Sequence, residues 1–312
     1  MKHAVKELLI CPNCLPEENR LQTQISQEQD QDILTGQMRC PACARVYPIQ
    51  QGIAYLDPRH GPDSGSRSKY ETPSVLASYL WSHFADLLQD PEASLAYRHW
   101  VDLVQPHPGL CLDIGAAVGR FVLEMAAKCD FALGVDNSVA FVKTARELLL
   151  QGSITFCLPM EGHLSREVRL ELPPAWPRDK AEFIVADAQA LPFASSCFAS
   201  LSSLNMLDKV SGPLRHLQEM DRVAQEKGVQ CLISDPFSWS AEASRPELWL
   251  GGRQQGQFPG LGLDNVQGLL QSNNGYLSLP WTIQARDHVW WKLRTHANHF
   301  ELIRSCYIQA KR

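Results

Sequence analysis

Residues 109–129 read GLCLDIGAAVGRFVLEMAAKC, and the reading of this stretch decides the fold. Leu110, Leu112 and Ile114 alternate with smaller or polar residues, as in a short strand. Gly115 and Gly119 then bracket a turn, and the apolar residues from Phe121 to Cys129 fall at helical spacing. A glycine turn between strand and helix lets the backbone approach a ligand at the strand's carboxyl end. The loop is Gly-Ala-Ala-Val-Gly and not the Gly-x-Gly-x-x-Gly of a dinucleotide-binding fold.

Three further features follow in order. FALGVDNS reads as a second strand ending in Asp136, and an acid placed there can accept both hydroxyls of a ribose. AEFIVADAQALPF ends a third strand at Asp187-Ala188, and CFASLSSLNMLDKV gives a fourth ending near Asn205. A fifth, VQCLI, runs into SDPFSWSAEASRPELWLGG, a long loop rich in aromatic residues. In an open α/β sheet that loop emerges on the ligand side, so it is expected to close over a substrate. The plainer alternative is that Trp239 and Trp249 fill a small core beneath the loop.

This series resembles the class I S-adenosylmethionine-dependent methyltransferases. The resemblance implies an α/β, Rossmann-like seven-stranded methyltransferase sheet with S-adenosyl-L-methionine as cofactor. It implies that Gly115, Ala117 and Gly119 pass beneath the methionine part and that Asp113 helps to hold its amino group. Asp136, with Asn137 beside it, would hold the ribose, Asp187 and Ala188 the adenine, and Asn205 would stand near the donor sulfur. One departure is Phe198-Ala199, where the fourth strand commonly begins Phe-Asp.

Upstream, Cys11-Pro12-Asn13-Cys14 and Cys40-Pro41-Ala42-Cys43 form two matching knuckles. Two thiolates two residues apart can bite one ion, and two such turns complete a tetrahedral S4 site suited to Zn²⁺. With all four positions filled by protein, such a metal is structural. A redox dithiol is the alternative. ELLICPNC and RCPACARVYPIQQGIAYLD resemble the small zinc-ribbon protein that activates several tRNA, rRNA and protein methyltransferases. The Gln-rich stretch between the knuckles is expected to be a solvated insertion. The domain organisation expected is a zinc ribbon over 1–57, a Gly-, Pro- and Ser-rich linker over 58–69, and a methyltransferase domain over 70–312.

The totals bound the rest. The chain has 312 residues, 45% hydrophobic and 20% charged, with a formal net charge of −5. That balance fits a globular protein with a real core and weighs against a dedicated nucleic-acid binder. No apolar run is long enough to span a membrane, and the N-terminal apolar core is too short for a signal peptide, so a cytoplasmic location is expected. Four of the ten cysteines fall in the two pairs, a pattern that favours metal over disulfides.

A closer resemblance covers residues 70–312. YETPSVLASYLWSHF, LDIGAAVGR, NMLDKV, SDPFSWS, WLGG and WWKLRTH occur in the order found in the methyltransferase domain of ovothiol synthases. That family methylates a ring nitrogen of mercaptohistidine. This chain has Ala116 where the family has Cys, and a ribbon in place of an iron-dependent sulfoxide synthase, which implies a sister family. The expected acceptor is a small histidine-like or thiol-bearing molecule, with a protein or RNA acceptor docked by the ribbon as the alternative. Asp208 and His288 are candidate bases, although Asp208 is at least as well read as a helix cap. Tyr70, Trp239, Trp249 and Arg294 are candidate substrate contacts, with Arg294 placed on an antiparallel strand pair and able to grip a carboxylate. The sequence leaves the oligomeric state open.

Overall fold

The computed structural model describes residues 1–59, 69–272 and 275–312. Most of the expected linker, 58–69, lies outside the described residues.

The chain opens with a short helix, α1 (His3–Lys6), and a four-stranded antiparallel sheet. Its strands are β1 (Gln22–Gln29), β2 (Asp32–Arg39), β3 (Val46–Gln50) and β4 (Ile53–Ala54), adjacent in that order. The Gln-rich stretch is therefore not a loose insertion. It forms the outer strand β1, polar because it is largely exposed. Asp30 and Gln31 turn the hairpin with φ of 50° and 65°, the sign a tight two-residue turn requires at both positions.

The helices α2 (Pro73–Phe84) and α3 (Ala96–Leu103) lead into the larger sheet. Then come β5 (Leu110–Ile114), α4 (Arg120–Met125), β6 (Phe131–Asp136) and α5 (Val139–Gln151). The hairpin β7 (Ser153–Glu161) and β8 (Leu164–Glu171) precedes β9 (Ala181–Val185), β10 (Phe198–Leu204), α6 (Pro213–Val223) and β11 (Gln230–Asp235). The chain closes with α7 (Gly262–Gln271), β12 (Thr282–His296) and β13 (His299–Lys311). The seven-stranded sheet has the order β12-β13-β11-β10-β5-β6-β9, its last five strands parallel and β13 antiparallel to both of its neighbours, β11 and β12. Every residue of β9, β10 and β11 is buried, as expected for strands covered on both faces. α5 shows how local sequence sets an element. Ser138 caps its start by accepting the Phe141 N–H at 3.2 Å, and Gly152 ends it at φ 73°.

β9 would leave an open sheet edge, and the N-terminal sheet covers it. Leu56 N–H donates to Val185 O at 2.7 Å, and Ile10 N–H donates to Pro192 O at 3.0 Å. Met1, Val5, Leu9, Ile33, Met38 and Ile49 share one apolar core with Leu133, Val135 and Ile184 of the large sheet and Phe193 of the β9–β10 connection. Charges are buried at the same seam. Arg146 of α5 donates to Glu182 of β9 and to Asp32 of β2, and Lys2 N–H donates to Glu182 Oε2 at 2.7 Å.

Removing one partner of a buried ion pair leaves the other charge uncompensated, at a cost of about 3–5 kcal/mol. Arg146→Met is expected to destabilise the protein by that amount in urea denaturation. A loss below about 1 kcal/mol, the range of a surface pair, would mean that the seam does not depend on this network.

Candidate functional site

The carboxyl ends of the central strands meet in a cavity of about 310 Å³. One wall is the strand–glycine–helix turn. Gly115 has φ 83°, and a Cβ there would stand 2.1 Å from Met206 Cγ, so only glycine fits without displacing that side chain. Ala117 follows at φ 45°, its N–H donating to Asp136 Oδ2 at 2.9 Å. Asp136 also accepts the Ser138 N–H at 2.8 Å. Asn137, Asp187, Ala188 and Asn205 line the same cavity, as does Tyr70. Eight residues singled out from the sequence thus come together. Asp113 and Gly119 belong to the same turn but stand behind its lining. Asp113 accepts from Ser202 Oγ at 2.6 Å, and Gly119 packs closely on Phe183.

Burial pushes the Asp113 carboxyl up to about 7 and the Asp136 carboxyl up to about 6. At Asp136 the N–H donors of Ser138 and Ala117 oppose this rise, and the Glu71 charge adds to it. Such a carboxyl is suited to accept hydroxyl donors brought in by a ligand.

The opposite wall is aromatic and was only partly legible in the sequence. Tyr79 and His83 come from α2, Tyr97 from α3, Phe141 from α5 and Trp291 from β12. Tyr97 Oη and His83 Nε2 are hydrogen-bonded at 2.6 Å. Burial and the nearby Arg120 charge push the His83 pKa well below its ordinary value, so the ring is neutral. His83 Nδ1 and Trp291 Nε1 are buried without a hydrogen-bond partner among the described residues. Two unsatisfied polar atoms in one cavity wall are what a ligand-binding surface presents before its ligand arrives. Arg59 also reaches the cavity, where Nη2 meets Asp187 Oδ2 at 2.7 Å. No motif marked it, because it lies outside both sequence patterns.

The remaining candidates sit elsewhere. Asp208 is buried at the start of the loop that follows β10, accepting the Ser238 N–H at 2.8 Å and pairing with Lys209 Nζ at 3.1 Å. His288 lies on the outer face of β12, bonded to Asp287 Oδ1 at 2.9 Å. The two-residue period of β12 turns Val289 and Trp291 inward, so His288 and Trp290 face away from the cavity. Trp239 and Trp249 stack on each other, centroids 6.2 Å apart, and do not line the cavity; Glu242 and Ala243 of the same loop do. Arg294 is on the expected antiparallel pair but lines a different cavity.

In the N-terminal sheet the sulfurs of Cys11, Cys14, Cys40 and Cys43 lie within 4.8 Å of one another. The Cys11–Cys43 and Cys14–Cys40 separations are both 3.7 Å. A tetrahedron with metal–sulfur bonds of about 2.3 Å has edges of about 3.8 Å, so the donor set fits one ion such as Zn²⁺.

Residues 112–232 match the model of a family described as methyltransferase domain, and residues 2–52 match that of Trm112p-like protein. The chain carries a methyltransferase domain and a Trm112p-like domain. It is an S-adenosylmethionine-dependent methyltransferase. No curated protein sequence matches it. Among solved structures, this methyltransferase is similar to the YcgJ protein of Bacillus subtilis, at 15% identity and TM-score 0.45, over 69% of this chain and 99% of that one. It is also similar to the complex between the Haloferax volcanii Trm112 methyltransferase activator and a methyltransferase, at 11% identity and TM-score 0.44, over 78% of this chain and 98% of that one. At these scores the structural likenesses carry no functional argument. Among the described residues, no helix is long and apolar enough to cross a membrane.

The two raised carboxyls give the methyltransferase a pH signature without ligand. Unfolded, both titrate near 3.8; folded, they titrate at about 7 and about 6. The folded chain then holds protons that the unfolded chain has released, so this contribution is full below about pH 4 and is lost as pH rises through about 6 to 7. Asp113→Asn imitates the protonated carboxyl and is expected to flatten the fall in stability across that window. Denaturation curves at stepped pH check it, and an unchanged slope would remove Asp113 as a source.

Proposed function

We propose that this enzyme methylates a macromolecular acceptor, protein or RNA, with the ribbon as a built-in activator held by Zn²⁺ on Cys11, Cys14, Cys40 and Cys43. The observation that carries this reading is the docking of the Trm112p-like domain along the edge of β9, sharing a core with the methyltransferase sheet. Two residues beyond Val185, where that docking bond is made, stands Asp187 in the cavity wall.

Within the cavity, Asp136 accepts the ribose hydroxyls, with Asn137 beside it. Asp187 and the backbone of Ala188 meet the adenine. Gly115 and Ala117 pass beneath the methionine part, Asp113 and Gly119 support the turn from behind, and Asn205 stands nearest the sulfur. S-adenosylmethionine supplies a methyl group already activated on a sulfonium. The chain's task is therefore to align the acceptor and exclude water. The aromatic wall excludes water. Neutral His83 Nδ1 and Trp291 Nε1 offer hydrogen bonds that orient an acceptor group, with Tyr70 at the edge. Asp208, already engaged by Ser238 N–H and Lys209, positions the loop after β11.

A second reading, a small histidine-like or thiol-bearing acceptor as in the ovothiol-type enzymes, is favoured by the modest cavity volume and its aromatic lining. Release of S-adenosylhomocysteine from metal-replete protein, offered extract fractions split by size into small molecules, RNA and protein, separates the two. Turnover is expected in a macromolecular fraction. Turnover confined to the small-molecule fraction would overturn the first reading in favour of the second.

Asp136→Ala removes charge-assisted hydrogen bonds worth about 1.5–3 kcal/mol. It is expected to weaken S-adenosylmethionine binding about 10- to 100-fold by calorimetry. Unchanged affinity would mean that the ribose is held elsewhere.

A further inference from the structure

α2 has two working sides. Tyr79 and His83 line the reaction cavity, while Trp81 and Ala85 pack against Leu158 and Phe300 on the other side. There the β7–β8 hairpin, the α2–α3 connection and the β12–β13 turn surround a second, open cavity of about 720 Å³. Leu87, Leu88, Met160, Val168 and Phe300 give it apolar walls.

Arg294 lies in this lining and is only 6% exposed. A guanidinium has five N–H donors to satisfy. Its Nε has no partner among the described residues. Among the described residues, Nη2 has two contacts, a long one to Pro159 O and a weak acceptor in Met160 Sδ, both at 3.4 Å. Nη1 stands 3.8 Å from Asp90 Oδ2, beyond hydrogen-bond range. The acids nearby are committed elsewhere. Asp90 accepts from Trp81 Nε1 at 2.8 Å and from Glu92 N–H at 2.9 Å. Glu92 pairs with Lys292 at 3.0 Å, and Glu171 with Arg169 at 2.8 Å. Arg166, also in the lining, is exposed and has no ion pair among the described residues. A buried guanidinium short of acceptors is costly unless something supplies them.

We propose that this cavity binds an organic carboxylate with an apolar body, its carboxylate seated on Arg294. The planar pair of carboxylate oxygens matches the guanidinium fork. A single negative charge suits one buried cation with Asp90 beside it, where a dianion would be repelled. The apolar walls suit a hydrocarbon or aromatic body and not a bare inorganic ion. A free medium-chain acid and the C-terminus of a peptide share this chemistry.

Calorimetry on the full chain without cofactor tests the site apart from the methyl-transfer reading. The probes are octanoate, a short peptide ending in Leu-Phe, the amides of both, and inorganic phosphate. At least one acid is expected to bind, at least tenfold tighter than its amide, and which acid binds identifies the source. Arg294→Met is expected to lower that affinity at least tenfold while stability holds or rises, since an undersatisfied buried charge is removed. Arg166→Gln changes an exposed side chain, keeps the fold and is expected to weaken binding a few fold. It and the acid–amide comparison decide the matter if Arg294→Met does not fold. No binding by either acid, equal binding of acid and amide, undiminished binding by Arg294→Met, or tighter binding of phosphate would each overturn the proposal.

Discussion

The sharing of Arg146 between Glu182 and Asp32 ties the two sheets together. Arg146 and Glu182 are buried at the seam and Asp32 is partly buried, so the guanidinium depends on both acids for compensation. The arrangement also constrains the backbone. A Cβ on Gly52 would stand 2.2 Å from Arg146 Nη2, so the β3–β4 turn must be glycine for the guanidinium to reach β2. The turn residue of the ribbon sheet and the cation of α5 are thus parts of one joint. Ionic and apolar contacts act together there, because the residues around the joint belong to a single core.

From this joint the geometry passes toward the cavity. The ribbon's last strand is followed by Tyr55, bridged in parallel to Val185, and Leu56, whose N–H donates to Val185 O at 2.7 Å. Arg45 reaches both ends of the ribbon, donating to Asn13 Oδ1 at 2.8 Å in the first knuckle and to Pro58 O. The next residue, Arg59, meets Asp187. A continuous set of contacts therefore runs from the cysteine cluster to the cavity wall, through neighbouring residues.

The sequence displayed those parts of the fold whose logic is local. A glycine turn, an acid at a strand end and a pair of cysteine knuckles each need particular residues at short spacing, so each could be read directly. What it concealed depends on pairing between distant segments. The stretch from Gln22 to Gln29 is too polar to look like a strand, and its strand character comes from β2 beside it. The segment between α5 and β9 forms the hairpin β7–β8, and β7 packs on the distant α2. The aromatic cavity wall was only partly legible for the same reason. Tyr79, Tyr97, Phe141 and Trp291 lie on four separate elements, and only the closed sheet brings them together. Trp291 was the hardest to foresee, because one residue of slip along β12 would have turned Trp290 inward instead.

The aromatic loop after β11 shows why residue type alone did not place the cavity wall. Its rings are used on one another. Trp239 stacks on Trp249, whose Nε1 donates to Ser244 O at 3.0 Å. Glycines allow this close packing: a Cβ on Gly252 would press on Trp239, and one on Gly262 on Phe237. At its base, Asp235 accepts the Phe237 N–H at 2.7 Å and Asp208 accepts the Ser238 N–H at 2.8 Å. Burial and the adjacent Asp208 charge push the Asp235 carboxyl well above its usual range, so the two acids can share the base with one of them neutral. The loop is thus a small core of its own, clamped at its root, and what it gives the cavity is the rim formed by Glu242 and Ala243. The aromatic wall of the cavity comes mainly from α2 and β12 instead, elements whose positions the rest of the sheet already fixes.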